Sequence, residues 1–192
     1  MQFEKRIVKF VGAAALLCGL VVGANAQVGS GWTSTSVSYN TQVSSGCSIS
    51  GSTFYIDGGS GRAERRYTTL TSGSRQFQGT FKVNSLSGDR VSVFQTFSEV
   101  NGPKQMGAVE KSPARLYEVH GGATLASYSV GSSMRINTTA TSGGTVVVYV
   151  NGSNKGTTTG VNNPYNKIGS YATASGAGPC STTWSSVSFW RK

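Results

Sequence analysis

From residue 53 onward the chain reads as short runs in which apolar or β-branched side chains alternate with polar ones. These runs are Thr53 to Ile56, Arg62 to Thr69, Gln76 to Val83, Arg90 to Phe97, Ala114 to Val119, Ser132 to Thr139, Thr145 to Val150, Lys167 to Ala172 and Thr182 to Trp190. Successive strand side chains point to opposite faces, so each run predicts a half-buried strand. Corners rich in Gly separate them: Asp57-Gly58-Gly59, Ser87-Gly88-Asp89, Gly121-Gly122 and Ser142-Gly143-Gly144. Asn151-Gly152, directly after five apolar or aromatic residues, is the clearest hairpin signal. No stretch carries a three-turn helical period and no solenoid repeat appears. The pattern predicts an all-β fold, an antiparallel β-sandwich or jelly roll over residues 51–192 with nine or more strands. Residues 27–50, rich in Ser, Thr and Gly, are a lead-in segment or first strand.

The first 26 residues break this pattern. Lys5, Arg6 and Lys9 precede an apolar run from Phe10 to Val22, and Ala24-Asn25-Ala26 supplies a small-residue cleavage site before Gln27. Residues 1–26 are therefore expected to be a secretion signal peptide. The run is shorter than the roughly 20 residues of a membrane-spanning helix, and Leu16 and Leu17 are too large for a lipoprotein site at Cys18. The mature protein is expected outside the cell, or in the periplasm if the source is bacterial, without membrane attachment. It retains Cys47 and Cys180, which in an oxidising compartment are expected to form a disulfide. Closing so long a loop contributes roughly 4 to 5 kcal/mol in the chain-entropy view.

Composition narrows the function. Only 12% of residues are charged, yet the net charge is +10, and +8 remains once residues 1–26 are removed. Such a surface attracts polyanions, and for a secreted protein the expected partner is an acidic polysaccharide. Basic residues are dispersed and form no recognition motif, so nucleic acid is not expected. The acids beyond residue 26 are Asp57, Glu64, Asp89, Glu99, Glu110 and Glu118, with no closely spaced acidic strand motif of a sandwich glucanase. One His, His120, and two Cys make neither a zinc site nor a serine-hydrolase elbow. No metal or organic cofactor is expected, and a monomer is.

Three segments carry candidate chemistry. In Arg62-Ala63-Glu64-Arg65-Arg66, period two places Arg62, Glu64 and Arg66 on one face, with a carboxylate holding two guanidinium forks. In Arg90 to Phe97, alternation groups Gln95 with Val91, Val93 and Phe97, and an amide among apolar neighbours needs a partner. In Tyr165-Asn166-Lys167-Ile168-Gly169-Ser170-Tyr171, one face carries Tyr165, Lys167, Gly169 and Tyr171, and the bare Gly169 is expected to leave room for a substrate.

In this order the three segments resemble the alginate lyases of polysaccharide lyase family 7 and the related glucuronan lyases, whose fold is a concanavalin A-like jelly roll. The resemblance rests on a full match to an Arg-x-Glu-x-Arg strand, on Gln95 of a Gln-Ile-His strand, and on Tyr165, Lys167, Gly169 and Tyr171 of a Tyr-Phe-Lys-Ala-Gly-x-Tyr strand. It implies a lyase that cleaves a uronate polymer by β-elimination. Tyr171 would transfer the proton, Gln95 and Arg66 would neutralise the reacting carboxylate, and Arg62, Glu64, Lys167 and Tyr165 would bind substrate. Phe97 stands where the family keeps its His. Either Tyr171 serves as both base and acid in a syn elimination, or His120 reaches the site from a neighbouring strand end. The alternative is a non-catalytic protein that binds acidic polysaccharide on the same fold.

Overall fold

The computed structural model describes residues 27–172, 176 and 178–192, so the expected signal peptide at 1–26 lies outside the described residues. In chain order the strands are β1 (Thr33–Thr35), β2 (Tyr39–Val43), β3 (Ser48–Ser50), β4 (Thr53–Ile56), β5 (Arg62–Tyr67), β6 (Ser74–Leu86), β7 (Arg90–Ser98) and β8 (Gly102–Glu110). They continue with β9 (Arg115–Glu118), β10 (Thr124–Ser127), β11 (Ser133–Thr141), β12 (Val146–Val150), β13 (Ser153–Thr158), β14 (Pro164–Tyr171) and β15 (Cys180–Arg191). One sheet runs β13-β12-β11-β6-β15-β4-β3 with β1 added along β15, and the other runs β10-β9-β8-β7-β14-β5-β2. The two antiparallel sheets form the sandwich that the alternation predicts.

The core lies between the sheets and is aromatic. Phe54, Phe77, Phe81, Trp184 and Phe189 are buried there with Ile136 and Val148. The Phe77 and Phe81 rings lie 6.0 and 5.6 Å from Trp184, spacings at which tilted ring pairs attract. The lead-in supplies three strands: β1 and β3 join the first sheet and β2 becomes an edge of the second. Asn151-Gly152 does turn the hairpin β12–β13, with φ of 50° and 86°, as a type I′ turn requires.

Two features set which side chains face where. Between Ser92 and Phe94 the β7–β8 register shifts by one residue, and such a bulge inverts the phase of everything beyond it. The expected grouping of Val91, Val93, Gln95 and Phe97 on one face therefore fails. Phe94 points into the core against Gly107, while Gln95 and Phe97 turn outward. Polar ties also fix β14. Asn166 Nδ2 donates to Thr138 Oγ1 of the opposite sheet at 3.0 Å, and Ser170 Oγ lies 2.8 Å from Thr182 Oγ1.

The disulfide expected between Cys47 and Cys180 is not formed; both are free thiols. Cys47 Sγ is 3.6 Å from Asp57 Oδ1. Cys180 opens β15 inside the core, where burial pushes its thiol up to about 12.

Packing at the bulge yields a direct test. A Cβ on Gly107 would lie 2.0 Å from Phe94 Cε1. Gly107→Ala is expected to lower stability by about 1–3 kcal/mol through overpacking. Gly121→Ala, where the nearest atom is Glu118 Oε2 at 3.5 Å, should change the urea midpoint far less.

Candidate active site

The three motif strands are neighbours: β7, β14 and β5 lie side by side in the seven-stranded sheet. Lys167 pairs with Arg66 on one side and Gln95 on the other, Tyr171 pairs with Arg62, and Tyr165 pairs with Phe97. Cross-strand partners share a face. Arg62, Glu64, Arg66, Gln95, Phe97, Tyr165, Lys167 and Tyr171 thus stand on the sheet's outer face, opposite to Asn166 and Ser170.

At the centre is Glu64, 2% exposed. Its Oε2 meets Arg62 Nε at 3.1 Å, an ion pair without the alignment of a hydrogen bond, and Lys167 Nζ at 3.6 Å. Its Oε1 accepts from Gln95 Nε2 at 3.3 Å. Burial raises the Glu64 carboxyl above its ordinary value, with Lys167 and Arg62 pulling it back. Burial likewise lowers Lys167, with Glu64 opposing. Removal from water thus outweighs mutual attraction for both partners, as is usual for buried ion pairs.

On either side stands an Arg–Tyr pair. Arg62 Cζ lies 5.0 Å from the Tyr171 ring centre, and Arg66 Cζ lies 4.1 Å from that of Tyr165. The two arginines stand four positions apart, about 13 Å along β5, and their side chains rest on different tyrosines. The structure brings Arg62 to Tyr171 and takes Arg66 to the opposite end. There Arg66 pairs with Glu99, which also accepts from Thr69 Oγ1 at 2.8 Å. Glu99 was not legible as a site residue, because its partner is far off in sequence and it sits in a turn outside any alternating run.

Phe97 stacks on Tyr165 at 5.1 Å and 30°, with Lys167 Nζ 5.0 Å from its ring centre. Burial raises the Tyr165 phenol, with Arg66 opposing. Gln95, Glu64, Lys167 and Tyr165 are all buried and form the floor. Arg62, Arg66, Phe97 and Tyr171 remain partly exposed above it. Gly169 does not open room for substrate: at φ 142° its missing Cβ would lie 2.1 Å from the Ala63 carbonyl oxygen. The glycine lets the β5 backbone come close along an unbroken β5–β14 ladder, while the register shift between Ile168 and Tyr171 lies on the other side of β14, against β7.

His120 is not brought to Tyr171. It lies just past β9, three strands from β14, with Nδ1 2.9 Å from Glu118 Oε1. Burial opposes the Glu118 charge, but hydrogen bonds from His120, Gly121 and Met106 outweigh it and hold the carboxyl below its ordinary value. Among the described residues no group of three His, Cys, Asp or Glu side chains is placed to hold a metal ion.

An alginate lyase of polysaccharide lyase family 7 superposes with a TM-score of 0.58 at 20% identity, covering 78% of this chain and 81% of its own. The fold is that of the alginate lyases. The alginate lyase from a Corynebacterium species gives 0.60 at 15% identity over 71% of this chain and 75% of its own. That from Pseudomonas aeruginosa gives 0.58 at 17% over 78% and 87%. Part of a Trypanosoma rangeli sialidase is similar too, with a TM-score of 0.55 at 12% identity over 80% of this chain but 27% of its own. No protein-family model and no curated protein sequence matches the chain.

The buried ion pair makes two predictions. Glu64→Gln leaves Lys167 without its counter-charge and is expected to cost about 3–5 kcal/mol in chemical denaturation, most of it recovered in Glu64→Gln/Lys167→Met. The second concerns pH. Between the lowered Lys167 value and its ordinary 10.5, the unfolded chain binds more protons than the native one, so stability rises with pH across that window. Lys167→Met should lack that increment in melts taken on the alkaline side.

Proposed function

We propose that the protein is a secreted polysaccharide lyase that cleaves an acidic, uronate-containing polymer such as alginate or glucuronan by β-elimination. One observation carries this reading. The three motif strands, separated in sequence, lie adjacent in an alginate-lyase fold with Arg62, Gln95, Lys167 and Tyr171 on one face. Its placement outside the cell is supported by the basic, apolar and small-residue order of residues 1–26.

In this mechanism a uronate carboxylate lies against Arg62, which carries the exposed positive charge beside Tyr171. Neutralising the carboxylate acidifies the proton at C5. The Tyr171 oxygen removes that proton as phenolate, the electron pair forms the C4–C5 double bond, and the C4–O bond breaks. The proton returns from the Tyr171 phenol to the departing oxygen, which is a syn elimination by one residue acting as base and then acid. Gln95 acts through Glu64, to which it donates one of its two amide N–H groups. Glu64 in turn holds Arg62 in place.

Phe97 favours a second reading, a protein that binds the polymer without cleaving it. Stacked on Tyr165, it offers an apolar ring where a proton-transfer group would stand in the resembling family.

Ultraviolet absorbance of the new double bond distinguishes the two across polymannuronate, polyguluronate, glucuronan and a glycosaminoglycan. A lyase gives a rise with at least one polymer, and Tyr171→Phe lowers its rate about 100- to 10,000-fold with affinity nearly kept. No rise with any polymer, together with salt-sensitive binding, would leave the binding reading.

A further inference from the structure

The outer face ends at the β2 edge in a cleft of about 330 Å³, lined by Tyr39, Asn40, Arg66, Thr68 and Thr69 among others. Its chemistry suits a sugar: an amide, hydroxyls and a cation around a concave space. Tyr39 pairs with the buried Tyr67 and turns its ring to Arg65, 4.7 Å away, on the opposite face, so the polar groups of Asn40, Thr68 and Thr69 are what the cleft offers beside Arg66. Arg66 connects this cleft to the catalytic row, because Asn40 and Lys167 are its ladder partners on the two sides.

The Arg66 guanidinium already holds a carboxylate. Glu99, from the turn after β7, reaches across β14 to pair with it, and Thr69 donates to the same oxygen. The pair is accessible, with side chains 35% and 42% exposed, and ion pairs at such exposure are weak and screened. Glu99 thus sits on Arg66 in the manner of a ligand carboxylate, at the mouth of a cleft otherwise equipped for a sugar ring.

We propose that this cleft is a second uronate subsite, in which Glu99 occupies Arg66 in the free protein and gives way to the carboxylate of a bound sugar. The inference rests on the polyuronate reading for its ligand class. Because Arg66 lies about 13 Å along β5 from Arg62, the subsite serves a different sugar residue from the one beside Tyr171. Glu99 then sets how firmly long acidic chains are held.

The test is equilibrium binding at low salt of a uronate dimer, a long uronate oligomer and a neutral oligosaccharide of the same linkage. The proteins are wild type, Glu99→Gln, Arg66→Ala and Glu99→Gln/Arg66→Ala, with thermal melts to confirm folding. Glu99→Gln is expected to tighten the long acidic oligomer up to about fivefold, with no gain for the neutral one and none in the double variant. Unchanged or weaker binding by Glu99→Gln would overturn the subsite and make Glu99 a prop for Arg66. A gain that survives without Arg66 would overturn it too, since bulk charge would explain it. If wild type binds no acidic oligomer, the polyuronate reading fails and takes the subsite with it. Binding without any Glu99 effect removes the subsite alone.

Discussion

A carboxylate buried to 2% exposure organises the outer face of the seven-stranded sheet. Desolvating Glu64 is unfavourable, and β5, β14 and β7 each bring a group that offsets part of the cost: Arg62, Lys167 and Gln95. Neither the cations nor the amide is free to move while that charge is unscreened by water. The cluster therefore acts as a floor with fixed geometry, over which Arg62, Tyr171, Phe97 and Arg66 stand as the groups a ligand meets. Such preorganisation suits chemistry in which a substrate carboxylate must be neutralised at a defined distance from a proton-transfer group.

The rest of the sandwich holds that floor in position. Strand β14 carries the central Lys167, and its opposite face is anchored to the other sheet through Asn166–Thr138 and Ser170–Thr182. Side chains on one β14 face thus fix the depth of the strand, and those on the other line the site. The bulge at Ser92–Phe94 performs a matching task on β7, sending Phe94 inward against Gly107 and turning Gln95 towards Glu64. Gly169 completes the arrangement by allowing the β5 backbone to approach where no side chain would fit.

Much of this was legible in the sequence. Period-two alternation located β4, β5, β6, β7, β9, β11, β12, β14 and β15, and Asn151-Gly152 marked its hairpin. Strand β8 was not legible, because Gly102-Pro103 reads as a turn and Gly107 interrupts the alternation. Strand β13, Ser-Asn-Lys-Gly-Thr-Thr, has no apolar period at all and exists because the hairpin delivers it to β12. The motif residues were legible as a group, since within a strand spacing alone decides the face. Their division was not: that Arg62 belongs with Tyr171 and Arg66 with Glu99 depends on pairing between strands. The same holds for Gly169, whose role is set by Ala63 on the neighbouring strand, and for Cys47 and Cys180, whose sulfurs find other neighbours.

In the proposed reaction Arg62 and Tyr171 flank the reacting sugar above a fixed Glu64 floor. A crystal structure of the Tyr171→Phe protein soaked with a uronate oligomer tests it most directly. The expected result is a sugar carboxylate within hydrogen-bond distance of the Arg62 guanidinium, with C5 of that ring facing position 171 and Glu64 still paired to Lys167. An oligomer bound on the other sheet, or one whose carboxylates all avoid Arg62, would contradict it.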